Sequence, residues 1–399
     1  MLHSVIFRLC SMGAKFLFLV VAASKLTASE LSQYGGINSL VLLSIYLIGA
    51  DLYIDNSRKL VNNEKEKYNI NLSNQIIFSF ILITVYLLII NIFKPKIVDS
   101  FLIIFSLLVV FEFINQEIYR LLLALGKYKQ ANILFFIKTG GWCLLSVLLL
   151  FIQEIQELKQ IMFIWLVSCI LSLVFGVSEI KGNLPSFVFS PSFRVFKLNF
   201  TRNARIFSSS LALLSINNLD KIYLASMDMG EEVASYIFFS SLISSVLTII
   251  YSGIVNPYYK QLVSNKFNDI LVVLLLKKIL AGGLSCCAFI FISLYFCKDL
   301  LLSLIGKEYL QDSYHIMYYL MFNMILVVIA LVPHYYLFAF EKDKEIAIVS
   351  FVVLISQIIL MPTLYSFFGV EGVIYSVLIS TLLMFCLKSV YVFKIKGKV

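Results

Sequence analysis

Charge is scarce in this 399-residue chain: Asp, Glu, Lys and Arg together make up 14%, where a water-soluble protein carries about 25%. With 60% apolar residues and a mean hydropathy of +0.94, no soluble fold could hide the apolar surface. A bilayer accepts it all round each helix. Histidine is scarcer still. His3, His315 and His334 are the only three and are too scattered to form a metal site. The seven cysteines (Cys10, Cys143, Cys169, Cys286, Cys287, Cys297 and Cys386) lie within or at the edges of apolar segments. That placement excludes a disulfide framework and a zinc spacing and fits small packing residues. Met1 to Ala28 has no short apolar core followed by a small-residue cleavage site, and is expected to be a retained first span. No GxxxxGK[ST] loop occurs; Gly306-Lys307 is followed by Glu308, which excludes ATP hydrolysis through such a loop.

What is present is a succession of apolar runs of about 18–25 residues, each long enough to cross a bilayer as a helix. They predict twelve spans, near 6–28, 37–54, 76–93, 100–120, 131–152, 158–180, 204–227, 233–255, 275–297, 314–338, 345–367 and 370–393. Assigned to alternate sides, the intervening loops and tail hold 23 Lys and Arg on one side and six on the other, with Lys15, Lys138 and Lys221 inside spans. Lys388 is counted here with the basic tail. The positive-inside rule then places both termini in the cytoplasm. It also accounts for the net charge of +9 without any nucleic acid. The outer loops are short, the longest near 298–313, so no soluble catalytic domain fits there.

The polar stretch Lys181–Arg205, with Pro185 and Pro191, falls near the middle of the chain. We read an N-lobe over 1–181 (spans 1–6), a cytoplasmic linker over 182–203 and a C-lobe over 204–399 (spans 7–12). Two local echoes support duplication: Glu30-Leu31-Ser32-Gln33-Tyr34 with Glu232-Val233-Ala234-Ser235-Tyr236, and Ala124-Leu125-Gly126-Lys127-Tyr128-Lys129 with Ala339-Phe340-Glu341-Lys342-Asp343-Lys344. Each pair occupies equivalent places in a six-plus-six layout, as parallel repeats about an axis along the membrane normal would. Two such bundles suit alternating access around a central cavity.

Charge inside a span costs about 2.5–3.5 kcal/mol at a helix centre on insertion scales, so retained charges face a cavity or a partner. Lys138 lies roughly 10 Å into span 5 at about 1.5 Å per residue. Lys15 sits at similar depth in span 1, on one face with Ser11 and Arg8. Asn217, Asp220 and Lys221 share a stripe of span 7, and Glu112, Gln116 and Arg120 recur at steps of four in span 4. These are the expected substrate-pathway residues: Lys15, Lys138, Lys221, Asp220, Arg120, Glu112 and Asn217. Each also has a plainer reading. Arg120 and Arg8 are near enough to the interface to snorkel, and Glu112 could pair with a neighbouring helix. Asp220 could neutralise Lys221 or exchange a proton or sodium ion during coupling. Cations in a cavity favour an anionic substrate, of which a diphosphate is one. No paired carboxylates or nucleophile–base set points to catalysis.

Several ordered stretches carry a family resemblance. Thr27-Ala28-Ser29-Glu30-Leu31-Ser32-Gln33-Tyr34-Gly35 follows span 1, and Asn218-Leu219-Asp220-Lys221-Ile222-Tyr223-Leu224 with Glu232–Tyr236 marks spans 7 and 8. Leu304-Ile305-Gly306-Lys307-Glu308-Tyr309 precedes span 10, and Phe368-Gly369-Val370-Glu371-Gly372-Val373 leads into span 12. Together they resemble signatures of the polysaccharide-repeat (O-antigen, Wzx-type) flippases of the multidrug/oligosaccharidyl-lipid/polysaccharide (MOP) exporter superfamily. Ser29 stands where that family carries Pro, and Ala234 and Ser235 where it carries Gly. The resemblance implies an all-α, twelve-helix, two-lobe transporter of the bacterial inner membrane with an electropositive cavity. It implies flipping of undecaprenyl-diphosphate-linked oligosaccharide to the periplasmic leaflet, coupled to protons or sodium ions and needing no other cofactor. Polysaccharide polymerase and chain-length regulator are its expected partners. The alternatives are a multidrug exporter of the same superfamily, a lipid II flippase, which would carry two further spans, and a membrane polymerase or glycosyltransferase.

Overall fold

The computed structural model describes residues 2–61, 64–152, 157–181, 188–264 and 268–396. Among these residues there are helices and no strand. Hydrocarbon leaves no water to satisfy backbone N–H and C=O groups, and a helix satisfies them within one segment. The chain divides into two compact units, residues 1–207 and 208–399.

Unit 1 holds α1 (Leu2–Lys25), α2 (Ala28–Gly49), α3 (Tyr53–Val61), α4 (Lys65–Phe93), α5 (Leu102–Ala124), α6 (Tyr128–Phe136), α7 (Trp142–Phe151), α8 (Leu158–Ile180) and the start of α9 (Phe193–Ile216). A π turn, Ile137–Gly141, joins α6 and α7 into one span. Unit 2 continues with α10 (Leu219–Met227), α11 (Glu231–Ile250), α12 (Asn256–Ser264), α13 (Asp269–Ile305), α14 (Glu308–Asp312), α15 (Tyr314–Ala339) and α16 (Asp343–Lys396). A second π turn, Tyr251–Val255, lies between α11 and α12. Ten helices among the described residues are long and apolar enough to cross a membrane.

The structure departs from the expected spans in places with clear causes. Ser29–Gly36 is not loop: α2 starts at Ala28 because Thr27 caps it. The Glu30 backbone N–H donates to Thr27 Oγ1 at 3.3 Å, and the Thr27 N–H donates back to Glu30 Oε2 at 3.1 Å. This reciprocal capping box satisfies donors that a helix start otherwise leaves open. The other Glu30 oxygen accepts the Leu158 N–H at 3.0 Å, so the same side chain fixes the first residue of α8. Span 7 is broken, since α9 ends at Ile216 and α10 begins at Leu219.

Residues 188–203 are folded onto unit 1. The Ser190 N–H donates to Ser73 Oγ at 3.0 Å, the Ser192 N–H to Asn74 Oδ1 at 2.9 Å, and Asn199 Nδ2 to Asn71 Oδ1 at 3.0 Å. Residues 182–187 of the expected linker, with Pro185, lie outside the described residues.

The 54-residue α16 is interrupted at Gly369, whose φ of 59° is non-helical. Its two halves fold back on each other: Val349 and Val353 of the first pack with Leu383, Leu387 and Tyr391 of the second. A Cβ at Gly372 would lie 2.1 Å from the Leu364 carbonyl oxygen, so this turn closes only without a side chain there. The expected spans 11 and 12 are these halves.

The turns after α5 and α15 share one geometry. Gly126 (φ 74°) and Glu341 (φ 56°) are both left-handed. The Lys127 N–H donates to Leu122 O and the Lys342 N–H to Leu337 O, each at 2.9 Å. Both helices therefore end in the same Schellman-type cap, at the second pair of sequence echoes.

Candidate functional site

In unit 1, Lys138, Glu112 and Arg120 of the charged side chains expected to line a pathway fall into two clusters, and Lys15 into neither. The first is built on α5, the π turn and α8. A π turn inserts an extra residue into the helix and re-aims its side chains, and here it carries Lys138. Gly140 in the same turn lets α1 approach, since a Cβ there would lie 3.1 Å from the Ser11 Cα. Lys138 Nζ lies 2.8 Å from Glu112 Oε2 and donates to Gln116 Oε1 at 3.2 Å. The other Glu112 oxygen accepts Trp165 Nε1 at 2.7 Å. Trp165 stacks on Trp142 with ring centroids 5.0 Å apart, and Trp142 meets Phe18 edge-on at 4.9 Å. Lys138 and Glu112 are 5% and 4% exposed, so the pair is held away from water by an aromatic wall.

The second cluster sits toward the other end of α5. Arg120 donates to Glu117 Oε1 at 2.6 Å, and its guanidinium lies 3.7 Å from the centre of the Tyr53 ring. Glu117 also accepts Gln75 Nε2 at 2.6 Å, and Gln75 in turn accepts from Asn56. Asp51, buried between α2 and α3 with a φ of 53°, adds a carboxyl that burial pushes above its usual range against the pull of the Arg120 charge.

Of the step-of-four residues in α5, the structure therefore joins Glu112 and Gln116 through Lys138 and sends Arg120 elsewhere. The expected common face of Arg8, Ser11 and Lys15 is divided. Ser11 is buried, while Arg8 and Lys15 are exposed. Arg8 reaches the Tyr119 hydroxyl at 3.1 Å, and Lys15 makes no ion pair among the described residues.

In unit 2 the break between α9 and α10 creates the third cluster. Asp220 lies in the first turn of α10, where a helix N-terminus favours negative charge. One carboxylate oxygen accepts the Tyr236 hydroxyl. The other is buried with no hydrogen-bond partner among the described residues. Lys221 donates to the Asn217 carbonyl at 3.0 Å and lies 3.9 Å from Asp220. Asn217 itself is exposed and bonds back to Leu213 O at 2.9 Å. Gln357 of α16 donates to Ile216 O, at the break, at 3.1 Å.

Sequence reasoning missed Glu117, Gln75, Trp165, Tyr236, Gln357 and, most clearly, Lys388. Lys388, expected in the basic tail, is no part of a solvated tail: it is 1% exposed within α16, beside His334. The helical stripe Ser376, Ser380, Thr381 and Met384, which leads to it, was the available signal. Glu117 could have been found from its i, i+3 spacing to Arg120.

No protein-family model and no curated protein matches the chain in sequence. Solved structures match in fold. A lipid II flippase, MurJ, in an inward closed conformation aligns with a TM-score of 0.76 at 15% identity, covering 98% of this chain and 87% of that one. An inward-facing multidrug resistance MATE family transporter of the MOP superfamily aligns at 0.69 and 13% identity, covering 99% of both. A MOP superfamily transporter from Pyrococcus furiosus aligns at 0.54 and 12% identity, over 99% of this chain and 96% of that one. The fold is thus that of MOP superfamily transporters, and these structural neighbours are transporters and a flippase rather than enzymes.

Proposed function

We propose that the chain is an undecaprenyl-diphosphate-linked oligosaccharide flippase of the bacterial inner membrane, working by alternating access through twelve spans with both termini cytoplasmic. The observation that carries the reading is the set of cations committed to membrane-spanning helices of a MOP-type fold: Lys138 buried in a π turn, Lys15 without an ion pair among the described residues, and Lys221 at a helix break. Cations inside spans are costly and are retained where they meet a ligand or a partner. A diphosphate offers several acceptor oxygens, and charge-assisted bonds to it are strong. Lys15 would meet it first. Lys138 would follow by exchanging Glu112 for phosphate oxygen, with Glu112 still held by Trp165. Asp220, with one oxygen unpartnered, would take the coupling proton or sodium ion. Polysaccharide polymerase and chain-length regulator would receive the product on the outer side.

A multidrug exporter is the second reading, and one observation favours it. Lys138 is already neutralised by Glu112, and Asp220 leaves a buried carboxylate oxygen open, an arrangement that a cationic drug could use. The experiment that decides is leaflet sidedness of a labelled undecaprenyl-diphosphate oligosaccharide in proteoliposomes under an imposed proton or sodium gradient. Translocation by the wild type that Lys138→Ala and Lys15→Ala abolish supports the flippase. Its absence in folded protein, with export of a lipophilic cation, establishes the exporter.

A further inference from the structure

Lys388 is one of the most completely buried large side chains among the described residues, and its charge is not answered by an acid. No carboxylate lies within ion-pair distance of it among the described residues. Its nitrogen lies 3.2 Å from Nδ1 of His334 on α15. An ammonium has no acceptor, and an imidazole nitrogen accepts only when unprotonated. The contact therefore forms with one shared positive charge, when Lys388 ammonium donates to neutral His334 or protonated His334 donates to neutral Lys388, or with none, when an N–H of one neutral group donates to the lone pair of the other. The pair thus holds one positive charge or none, where the same groups in water can hold two. A second charge at that separation, out of water, is opposed by direct repulsion.

We propose that His334 and Lys388 form a proton-binding site in unit 2, whose ligand is a proton taken from water on one side of the membrane and released on the other. The inference rests on the transport reading and names the coupling ion. Three surrounding features fit it. Pro333, immediately before His334, removes the N–H that would bond the Ile329 carbonyl, so α15 lacks a rung beside the site. Leu387 and Tyr391, flanking Lys388 on α16, pack against the cluster of Val349, Val353 and Ile216, the last of which ends α9 at the break before α10. A change of charge at the pair is thereby linked mechanically to the segment bearing Asp220. Among the described residues, no other ionisable group on the packed elements is seen to bond to Lys388 Nζ or His334 Nδ1. Tyr335 meets the His334 ring edge-on with centroids 5.2 Å apart and itself interacts with Tyr251 and Tyr259, Asp269 of α13 accepts the Tyr336 hydroxyl at 3.0 Å, Tyr236 of α11 serves Asp220, and Asp343 interacts with Tyr259.

The test uses the full chain in lipid nanodiscs, with the exposed cysteines Cys10, Cys297 and Cys386 replaced by Ala. Spin labels are placed at the exposed positions Lys129 and Lys344, one in each unit, and distance distributions are read by pulsed EPR at pH 8 and pH 5.5. A proton site linked to conformation must shift the populations with pH, by about five-fold or more in their ratio. The expected result is such a shift in the wild type that disappears in His334→Gln, whose amide oxygen still accepts from Lys388, and in Lys388→Met. Should Lys388→Met not fold, His334→Gln decides alone. A wild type with one distribution at both pH values, or variants that shift as it does, overturns the site. The flippase reading fails differently: labelled oligosaccharide lipid stays in its leaflet at every pH while the His334-dependent shift persists.

Discussion

At Lys138, stability and transport can be separated. Removing one member of a buried ion pair strands the other, at a cost of about 3–5 kcal/mol. Lys138→Ala should therefore lower the unfolding free energy by that amount, read by denaturant titration in micelles. Lys138→Met combined with Glu112→Gln should recover most of the loss, because the amide still accepts from Trp165 and neither member is left charged. Under the flippase reading the double variant is as inactive as the single one, although stable. Asp51 gives a pH dependence of known sign. Burial raises its carboxyl above 3.8, so the fold binds the proton more tightly than the unfolded chain does. The contribution is present below the ordinary carboxylate range and is lost as pH rises through the folded value. Asp51→Asn should flatten the fall of melting temperature on going from pH 4 to pH 7. Charge inside an apolar run was visible in the sequence for Lys138, Glu112 and Asp220. Lys221 beside Asp220 was visible too, at 3.9 Å in the structure, but the pairing of Glu112 with Lys138 was not, because they are 26 positions apart and meet only through the crossing of α5 with the π turn. Lys388 was misread because its place near the end of an apolar run was weighed above the stripe of Ser376, Ser380 and Thr381 that leads to it along one helix face.

Helices were legible where their apolar length decided the matter, and less so at their ends, where single side chains decide. The start of α2 shows this: Ser29–Gly36 is polar and glycine-bearing enough to pass for a loop, yet the Thr27–Glu30 box makes it helix. The two glycine turns separate conformational cost from steric cost. Gly126 has open space around its absent Cβ, so Gly126→Ala should cost only the left-handed penalty, about 1–2 kcal/mol. Gly372 faces the Leu364 carbonyl, and Gly372→Ala forces the hairpin apart. Its loss should exceed that of Gly126→Ala, with overpacking alone worth about 1–3 kcal/mol. Thermal unfolding of the two variants side by side checks the order.

For the whole molecule, composition was enough to settle the membrane class and the all-helical build, since neither depends on which helix touches which. The echo of Ala124–Lys129 in Ala339–Lys344 became a shared cap geometry, something the residues only hinted at because Glu341 does locally what Gly126 does. Orientation rests on the distribution of Lys and Arg and makes its own prediction. A cysteine placed at Lys344, in the exposed-cysteine-free background, should react with a membrane-impermeant maleimide only after the cells are opened. Reaction in intact cells would reverse the assigned sidedness.

The hairpin at Gly369 bears on how the protein is made. Its tip, Phe367-Phe368-Gly369, presents two exposed aromatic rings and no charge until Glu371. A chain segment of this kind can enter the bilayer as a preformed pair of helices, because the turn carries one acid, Glu371, across with it and not a longer polar loop. The last two spans would then be inserted in one step of biosynthesis, and a charged residue introduced at Phe368 would impede assembly before it affected transport.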